Sequence, residues 1–213
     1  MKKLFAVFIL ILSFAAVSVR AEDEGLYDPV PPPGSAFVRF VNAQSDAKEL
    51  KPAIHGKEYN AIKQGEVGPY VPAKKGDESF KFGGAEAKES LEEGTSYTVI
   101  LKGGALAVLK DEAIANQAKA MIAFYNLSSV ENLSLKTDDG KVAIIPPVAT
   151  GKSGYREINA VKVNLAVYNG DAKAADVAPI ALRRREPTAV VAMDKEGGTV
   201  ATQIVQAKTD TTQ

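Results

Sequence analysis

The sequence predicts an all-β fold, with two immunoglobulin-like β-sandwich domains in tandem after a signal peptide and a Pro-rich leader. Three observations support this. Short runs rich in β-branched and aromatic residues recur along the chain, separated by glycine-containing turns. Only residues 111–120 have a helix-like composition, and they lack a sustained apolar stripe. Related strand patterns occur in both halves, and modules of about 90 residues suit such sandwiches.

Residues 1–21 have the pattern of a cleavable secretory signal peptide. Lys2 and Lys3 supply positive charge, an apolar run begins at Leu4, and small residues precede a cleavage point after Ala21. The run is shorter than the roughly 20 apolar residues that cross a bilayer, although an uncleaved anchor is an alternative. The chain has no cysteine to carry a lipid anchor. We therefore expect a soluble mature chain in the bacterial periplasm.

Residues 22–35 are predicted to form a proline-rich leader, because closely spaced prolines neither continue a helix nor fill a central strand. The leader is either a spacer or a docking segment. The first domain is predicted over residues 36–110. In its first strand Arg39 shares a face with Phe37 and Val41. Further strands are expected at residues 52–55, 68–71, 78–82, 97–102 and 105–109.

Residues 111–120 are assigned to a linker or helical turn, and residues 121–213 to the second domain. Three strands end on asparagine, at Asn42, Asn126 and Asn169. An asparagine at a strand end caps a turn with its own side chain, so this local preference explains part of the similarity between the three strand ends. Strands are expected in the second domain at residues 121–126, 133–137, 142–145, 161–168, 177–182, 190–193 and 202–205.

The composition excludes several kinds of chemistry. The absence of cysteine removes thiolate nucleophiles and cysteine-ligated metals, and the single histidine, His55, rules out a histidine-cluster metal site. Cleavage after Ala21 would leave a net charge of −3, which predicts no electrostatic capture of nucleic acid. There is also no tryptophan to stack on a sugar.

No segment has the arrangement of a catalytic site. The Gly-Lys-Ser-Gly sequence around Ser153 lacks the glycine spacing and the strand–turn–helix context of a nucleophile elbow. Acidic pairs such as Glu92-Glu93 lie in turn-like segments, where carboxylates are normally solvated. We therefore expect a protein that is not an enzyme, with no catalytic residue, no metal and no cofactor.

Two charged segments are candidate partner-binding surfaces. The first contains Tyr155 and Arg156, and the second contains Arg183, Arg184 and Arg185 between two apolar strands. Arginine offers paired donors to carboxylates, so the arginine run could face an acidic partner. The structural alternatives are packing of the Tyr155 ring on a sheet and a solvated strand edge protected by charge.

Three stretches of the sequence resemble the AlgF family, whose members are periplasmic proteins of alginate O-acetylation. Residues 24–44 contain Leu-Tyr-Asp-Pro followed by Gly-Ser-Ala-Phe-Val-Arg, residues 133–148 contain Leu-Lys-Thr-Asp-Asp-Gly-Lys, and residues 153–171 contain Arg-Glu-Ile-Asn-Ala-Val-Lys-Val. The match follows the same order along most of the mature chain, and it is weakest across residues 45–110. None of these segments is catalytic.

The resemblance implies two β-sandwich domains and a non-catalytic adaptor required for O-acetylation of an exopolysaccharide. Its expected partners are a membrane-bound acetyl-passing protein and periplasmic O-acetyltransferases, and no cofactor is implied. Two other functions compete with the adaptor. One is a carbohydrate-binding module that holds the polymer, either alginate or acetylated cellulose. The other is an enzyme, which the lack of a catalytic arrangement disfavours.

Overall fold

The computed structural model describes residues 30–45, 49–195 and 199–212, and within these ranges it contains strands and turns but no helix. The predicted signal peptide and most of the predicted leader lie outside the described residues. The strands are β1 (Ser35–Asn42), β2 (Glu49–Leu50), β3 (Ala53–Ile54), β4 (Lys57–Glu58), β5 (Ile62–Lys63), β6 (Val71–Lys74), β7 (Gly76–Phe82), β8 (Ala85–Leu91), β9 (Ser96–Lys102), β10 (Ala105–Lys110), β11 (Ala120–Leu127), β12 (Leu133–Thr137), β13 (Ala143–Val148), β14 (Lys152–Ile158), β15 (Lys162–Val163), β16 (Leu165–Asn169), β17 (Ala172–Asp176), β18 (Ile180–Ala181), β19 (Pro187–Lys195) and β20 (Thr199–Gln206).

The first domain is a sandwich of two four-stranded sheets. One has the order β10-β9-β1-β6 and the other the order β4-β3-β7-β8, while β2 and β5 form a separate ribbon. Strands β1 and β9 are parallel, and the other ladders of this domain are antiparallel. Phe40 packs edge-on against Phe80 and Phe82, with ring centroids 6.3 and 5.6 Å apart. These rings join the facing sheets into one core.

The second domain has the same topology. Its sheets have the orders β14-β11-β19-β20 and β13-β12-β16-β17, and its first strand, β11, is parallel to β19 as β1 is to β9. The second core is formed by Ile122, Phe124, Leu135, Ile145 and their neighbours. The prediction of an all-β protein with two β-sandwich domains is confirmed.

Two of the three strand-end asparagines are equivalent parts of this repeat. Asn42 ends β1 and Asn126 lies near the end of β11, and both side chains are fully buried. Each amide donates to backbone carbonyls and accepts the N–H two residues further on. Asn169 is exposed at a hairpin in the other kind of sheet. The predicted capping role is therefore confirmed for Asn42 and Asn126 alone.

The element predictions succeeded where apolar residues were dense and failed at mostly exposed strands. The structure forms β8 and β17 from small and charged residues that carry little apolar pattern. The strand expected over 161–168 is interrupted between β15 and β16, and only Val71 of the strand expected over 68–71 lies in β6. Residues 111–119 form an irregular connection and not a helical turn. The exact domain limits stay a prediction.

The two sandwiches pack face to face through their parallel-containing sheets. Every residue of β11 is buried, because one face of the strand covers its own core and the other covers the first domain. The apolar part of this interface contains Val41 and Ile100 from the first domain and Tyr125 and Leu127 from the second. Lys102 adds a polar contact, donating to Ser128 O at 2.5 Å.

The C-terminal segment crosses back from the second domain to the first. Tyr70 N donates to Lys208 O at 2.8 Å, and Asp210 N donates to Tyr70 O at 2.7 Å. Thr209 thus forms a parallel bridge with Tyr70, just before the edge strand β6. The domains are therefore joined by two chain segments and a packed interface.

We predict that Asn126→Ala destabilises the protein by about 3 kcal/mol, because it leaves the carbonyls of Val130 and Val148 without their donor. Urea unfolding of the purified mature chain measures the change. Asn169→Ala is the matched control and should change the unfolding free energy by less than about 0.5 kcal/mol, since its site is exposed. Equal losses in both variants would contradict the buried cap.

Candidate functional site

The densest group of buried polar side chains lies at the domain interface, around Asp111. This residue directly follows β10, and its backbone N–H donates to Ser96 O at 2.9 Å, which holds the side chain against the sheet. Its carboxylate accepts hydrogen bonds from Thr98 and Tyr70 of the first domain at 2.8 and 2.7 Å. It also accepts from Tyr125 and Tyr155 of the second domain at 2.5 and 3.0 Å.

Arg39 completes this group, which we call the Asp111 cluster (Arg39, Tyr70, Thr98, Asp111, Tyr125 and Tyr155). Its guanidinium lies 4.7 Å from the ring centroid of Tyr70 and 5.2 Å from that of Tyr125, within the range of cation–π contacts. Its Nε donates to Thr98 Oγ1 at 2.9 Å. The positive charge of Arg39 is thus stacked between a ring from each domain, close to the negative charge of Asp111.

Burial raises the pKa of Tyr125 to about 12, in spite of the opposing charge of Arg39, and nearby Asp111 raises it further. Burial likewise raises the pKa values of Tyr70 and Tyr155. For Arg39, burial alone would lower the pKa, but Tyr125, Tyr70 and Asp111 outweigh it and the net pKa is raised. At neutral pH the three phenols of the cluster are therefore neutral.

A cavity of about 260 Å³ lies between the domains beside this cluster. Its walls include Phe37, Met121 and Ala189, and its polar lining includes Arg39 and Asp111. The hydroxyl groups of Tyr70, Thr98, Tyr125 and Tyr155 share the Asp111 carboxylate as their acceptor. What this arrangement does chemically is to bind the two domains to each other.

Sequence reasoning missed most of this cluster. Asp111 falls in the segment assigned to a linker or helical turn, and Tyr70, Tyr125 and Tyr155 are far apart along the chain. Tyr70, Tyr125 and Tyr155 converge in space only because the parallel-containing sheets face each other. The alternation in β1 was the one usable signal, since it placed Arg39 on the face of Val41 and away from the core of its own domain.

The first candidate surface is divided between two environments. Tyr155 points into the Asp111 cluster, and its ring packs edge-on against Tyr125 with centroids 6.1 Å apart. Arg156 lies on the other face of β14 and donates to the carbonyls of Ala143 and Ile144 at 2.8 and 3.1 Å. Both contacts serve the fold itself. Arg156 covers carbonyls of the edge strand β13, which limits pairing with other chains.

The second candidate surface, Arg183–Arg185, forms an exposed turn between β18 and β19, which we call the basic turn. Arg185 has a φ of 64°, in the left-handed region that non-glycine residues rarely adopt. Its N–H donates to Lys119 O at 2.9 Å, and Glu186 N donates to Arg183 O at 3.3 Å. The backbone is held, whereas no side chain of the three arginines contacts an acidic group in the described part of the chain.

The remaining sequence candidates are structural or solvated. Glu92 and Glu93 pair with Lys110 and Lys75 at the surface, at 2.7 and 2.9 Å. His55 is exposed at a turn, with Nδ1 3.4 Å from Glu78 Oε2, and Ser153 lies within β14. Across the described ranges, no group of three or more histidine or acidic residues could hold a metal ion. In the same ranges no helix is long and apolar enough to cross a membrane.

Comparisons with known proteins agree with the resemblance found in the sequence. The family model described as "Alginate O-acetyl transferase AlgF" matches residues 9–189. The alginate biosynthesis protein AlgF of Pseudomonas putida is 39% identical, over 82% of this chain and 81% of its own length. That of Pseudomonas aeruginosa is 33% identical, over 83% and 81%. The resemblance to the AlgF family is confirmed.

Two solved structures, both of single AlgF domains from P. aeruginosa, are also similar to parts of this chain. The C-terminal domain is 39% identical and covers 42% of this chain and 98% of its own length, with a TM-score of 0.38. The N-terminal domain is 22% identical and covers 39% of this chain and 100% of its own length, with a TM-score of 0.35.

We predict that Asp111→Ala lowers the unfolding free energy by at least about 2 kcal/mol, because hydroxyl donors from both domains lose their shared acceptor. Urea unfolding followed separately in each domain should show the two transitions moving apart. Glu112→Ala is the control, because Glu112 is an exposed neighbour that should change stability by less than about 0.5 kcal/mol. A single unshifted transition in Asp111→Ala would refute the bridging role.

We predict that alkaline pH weakens the interface. The folded-state pKa of Tyr125, raised by burial to about 12, exceeds the value of about 10 for an unfolded tyrosine. The stability that Tyr125 contributes is therefore fully present below pH of about 10 and is lost as pH rises through about 12. Tyrosinate absorbance should show that Tyr125 ionises together with unfolding, and Tyr125→Phe should flatten this part of the stability curve. Ionisation at about 10 without unfolding would disprove it.

Proposed function

The chain belongs to the AlgF family, and we propose that it acts in the periplasm as a non-catalytic adaptor required for alginate O-acetylation. The observation that carries this proposal is the match to alginate biosynthesis proteins over more than four fifths of their length. In this proposal the chain brings together a membrane-bound acetyl-passing protein and periplasmic acetyltransferases. Acetyl transfer itself belongs to those partners.

The arrangement of reactive groups supports a role without catalysis, although the family description includes the word transferase. Acyl transfer needs a nucleophile held by a general base and donors aimed at the developing oxyanion. The only histidine in the sequence is His55, and its contact is with Glu78. No serine, threonine or tyrosine hydroxyl is hydrogen-bonded to His55 among the described residues. Phenols with pKa values raised by burial, as in the Asp111 cluster, are poor nucleophiles at neutral pH.

The interface between the domains supports an adaptor. Two sandwiches that are joined by a packed interface, the Asp111 cluster and a crossing C-terminal segment present their outer surfaces at fixed relative positions. Such a frame can hold two partners at a constant separation. The basic turn is one such surface, because its backbone is held in place and its arginine side chains are exposed.

The alternative function, a carbohydrate-binding module, is less well supported. Modules of this kind offer aromatic rings on an exposed face for stacking against sugars. Tyr70 and Tyr125 are buried at the interface, and Tyr168 is also buried in the second domain. The surface chemistry therefore favours proteins over polymer as ligands.

We predict that deleting the gene abolishes O-acetylation of the polymer while the yield of polymer stays the same. Complementation with His55→Ala should restore acetylation fully, because no catalytic step depends on that imidazole. Acetyl content of the isolated polymer, measured by NMR, is the readout, and the wild-type gene is the control. Loss of acetylation in His55→Ala at normal protein level and with normal binding of the acetyltransferases would point to an enzyme.

We predict that changing Arg183, Arg184 and Arg185 together to Ser lowers acetylation and weakens partner binding by about tenfold or more, with little effect on stability. A pull-down of the acetyltransferases and the acetyl content of the polymer measure the two effects. The matched control changes three other exposed residues, Lys88, Lys141 and Lys195, to Ser and removes the same charge. Normal partner binding and normal acetylation in the arginine variant would mean that the basic turn is only a solvated strand edge.

A further inference from the structure

A groove of about 1030 Å³ lies at one edge of the first sandwich, where its two sheets are not closed by a shared strand. We call it the edge groove. One wall is formed by β6 and the residues that precede β1, and the other by the turn between β3 and β4. Glu78 lies inside, and Lys57, Lys74 and Tyr59 are also part of the lining.

Glu78 is an unusual residue for the interior of a sandwich. It lies on β7 with the same orientation as Phe80 and Phe82, so its side chain points inward, and only 9% of that side chain is exposed. Its Oε2 atom has no hydrogen-bond partner, and the imidazole Nδ1 of His55 lies 3.4 Å away. A buried acceptor without a donor costs about 1–3 kcal/mol, and more if it is charged. A carboxylate in this state calls for a donor from outside the described residues.

The rim of the groove has the opposite charge. Lys57 and Lys74 are exposed, and the ammonium of Lys57 lies 5.1 Å from the ring centroid of Tyr59. Lys75 pairs with Glu93 at 2.9 Å and so adds no net charge. A ligand that fits this pattern carries carboxylates for the rim and a hydroxyl or N–H donor for Glu78.

The walls also suit an extended backbone. Strands β4 and β6 are the outermost strands of their sheets on this side. Apart from the bridge between Tyr70 and Thr209 just before β6, their outer edges have no partner strand among the described residues. Unpaired strand edges bind extended peptides through main-chain hydrogen bonds, while pockets between them select side chains. The opening of the groove along these edges favours a polypeptide over a sugar polymer. Its one ring, Tyr59, is half-buried and has a lysine ammonium over it.

We propose that the edge groove is a second docking site, which binds an extended acidic segment of a partner protein and receives a hydroxyl or amide donor at Glu78. This inference rests on the proposed adaptor function and deepens it. An adaptor needs two separate surfaces, and the edge groove lies on the first domain whereas the basic turn lies on the second. When the partner segment is bound, its donor forms the hydrogen bond that Glu78 Oε2 lacks in the free protein.

The test measures binding of the full mature chain to each purified periplasmic acetyltransferase of the same organism by biolayer interferometry. Glu78→Gln should weaken the binding of one of them by about tenfold, because a charge-assisted hydrogen bond is lost. The same variant should melt at an equal or higher temperature than the wild type, since a buried carboxylate oxygen without a hydrogen-bond donor is replaced by a neutral amide. A residue that only supported the fold would give the opposite change in melting temperature.

A charge-reversal pair tests the rim. Lys57→Glu with Lys74→Glu should weaken binding by at least about tenfold at low salt, and the difference should shrink as salt is raised. The control reverses two exposed lysines elsewhere on the first domain, Lys63→Glu with Lys88→Glu, and should bind like the wild type. The basic-turn variant should keep this interaction if the two surfaces bind different partners.

The outcomes separate this inference from the adaptor function. If the wild type binds an acetyltransferase and all groove variants bind it equally well, the edge groove is not a docking site, while the adaptor function stands. If the wild type binds none of the purified acetyltransferases, both the docking site and the adaptor function are refuted. A third arm titrates polymannuronate oligosaccharides. If these oligosaccharides bind the wild type and not Glu78→Gln, the edge groove binds the polymer. That result would overturn the proposed peptide site.

Discussion

The arrangement of this protein depends on one carboxylate shared between two domains. Asp111 accepts hydroxyl donors from Tyr70 and Thr98 on one side and from Tyr125 and Tyr155 on the other. A carboxylate in this partly buried position is tolerable because four hydroxyl donors replace much of its water shell and the positive charge of Arg39 lies nearby. Since the donors come from both domains, rotating one sandwich against the other would leave several groups unpaired at once. The Asp111 cluster thereby fixes one relative orientation of the two domains. The apolar contacts of the interface alone would fix that orientation less strictly.

The duplicated topology explains how such an interface can exist. In each sandwich the first strand enters the middle of a sheet and lies parallel to a later strand. That sheet has one face toward its own core and another toward its counterpart, so β1 and β11 are buried on both sides. Four stacked sheets result, and the two outer sheets keep their exposed faces. Surfaces available to partners therefore lie on the outside of the stack, at its edges and at its turns.

Two carboxylates of this chain, Asp111 and Glu78, are in contrasting situations. Asp111 has its donors within the described protein, and it holds the domains together. Glu78 is more deeply buried than Asp111, but its Oε2 atom has no hydrogen-bond donor among the described residues. The first arrangement stabilises the free protein, and the second leaves an acceptor open to a hydrogen-bond donor from a ligand. This contrast is the physical reason for assigning a structural role to the interface and a binding role to the edge groove.

The sequence by itself determined the β class, the two modules and the absence of cysteine chemistry, because these follow from apolar periodicity and composition. It also placed Arg39 on the same face of its strand as Val41, and it singled out Arg183–Arg185 as either a partner surface or a solvated edge. It could not bring together Tyr70, Asp111 and Tyr155, which are distant along the chain and meet only when two sheets face each other. Nor could it show that Glu78 points inward on β7. The sequence also does not reveal that the Oε2 atom of Glu78 lacks a hydrogen-bond donor, because that depends on which groups the fold places around it. Local pattern decides which strands form, whereas the pairing of distant polar groups is decided by how the finished sheets pack.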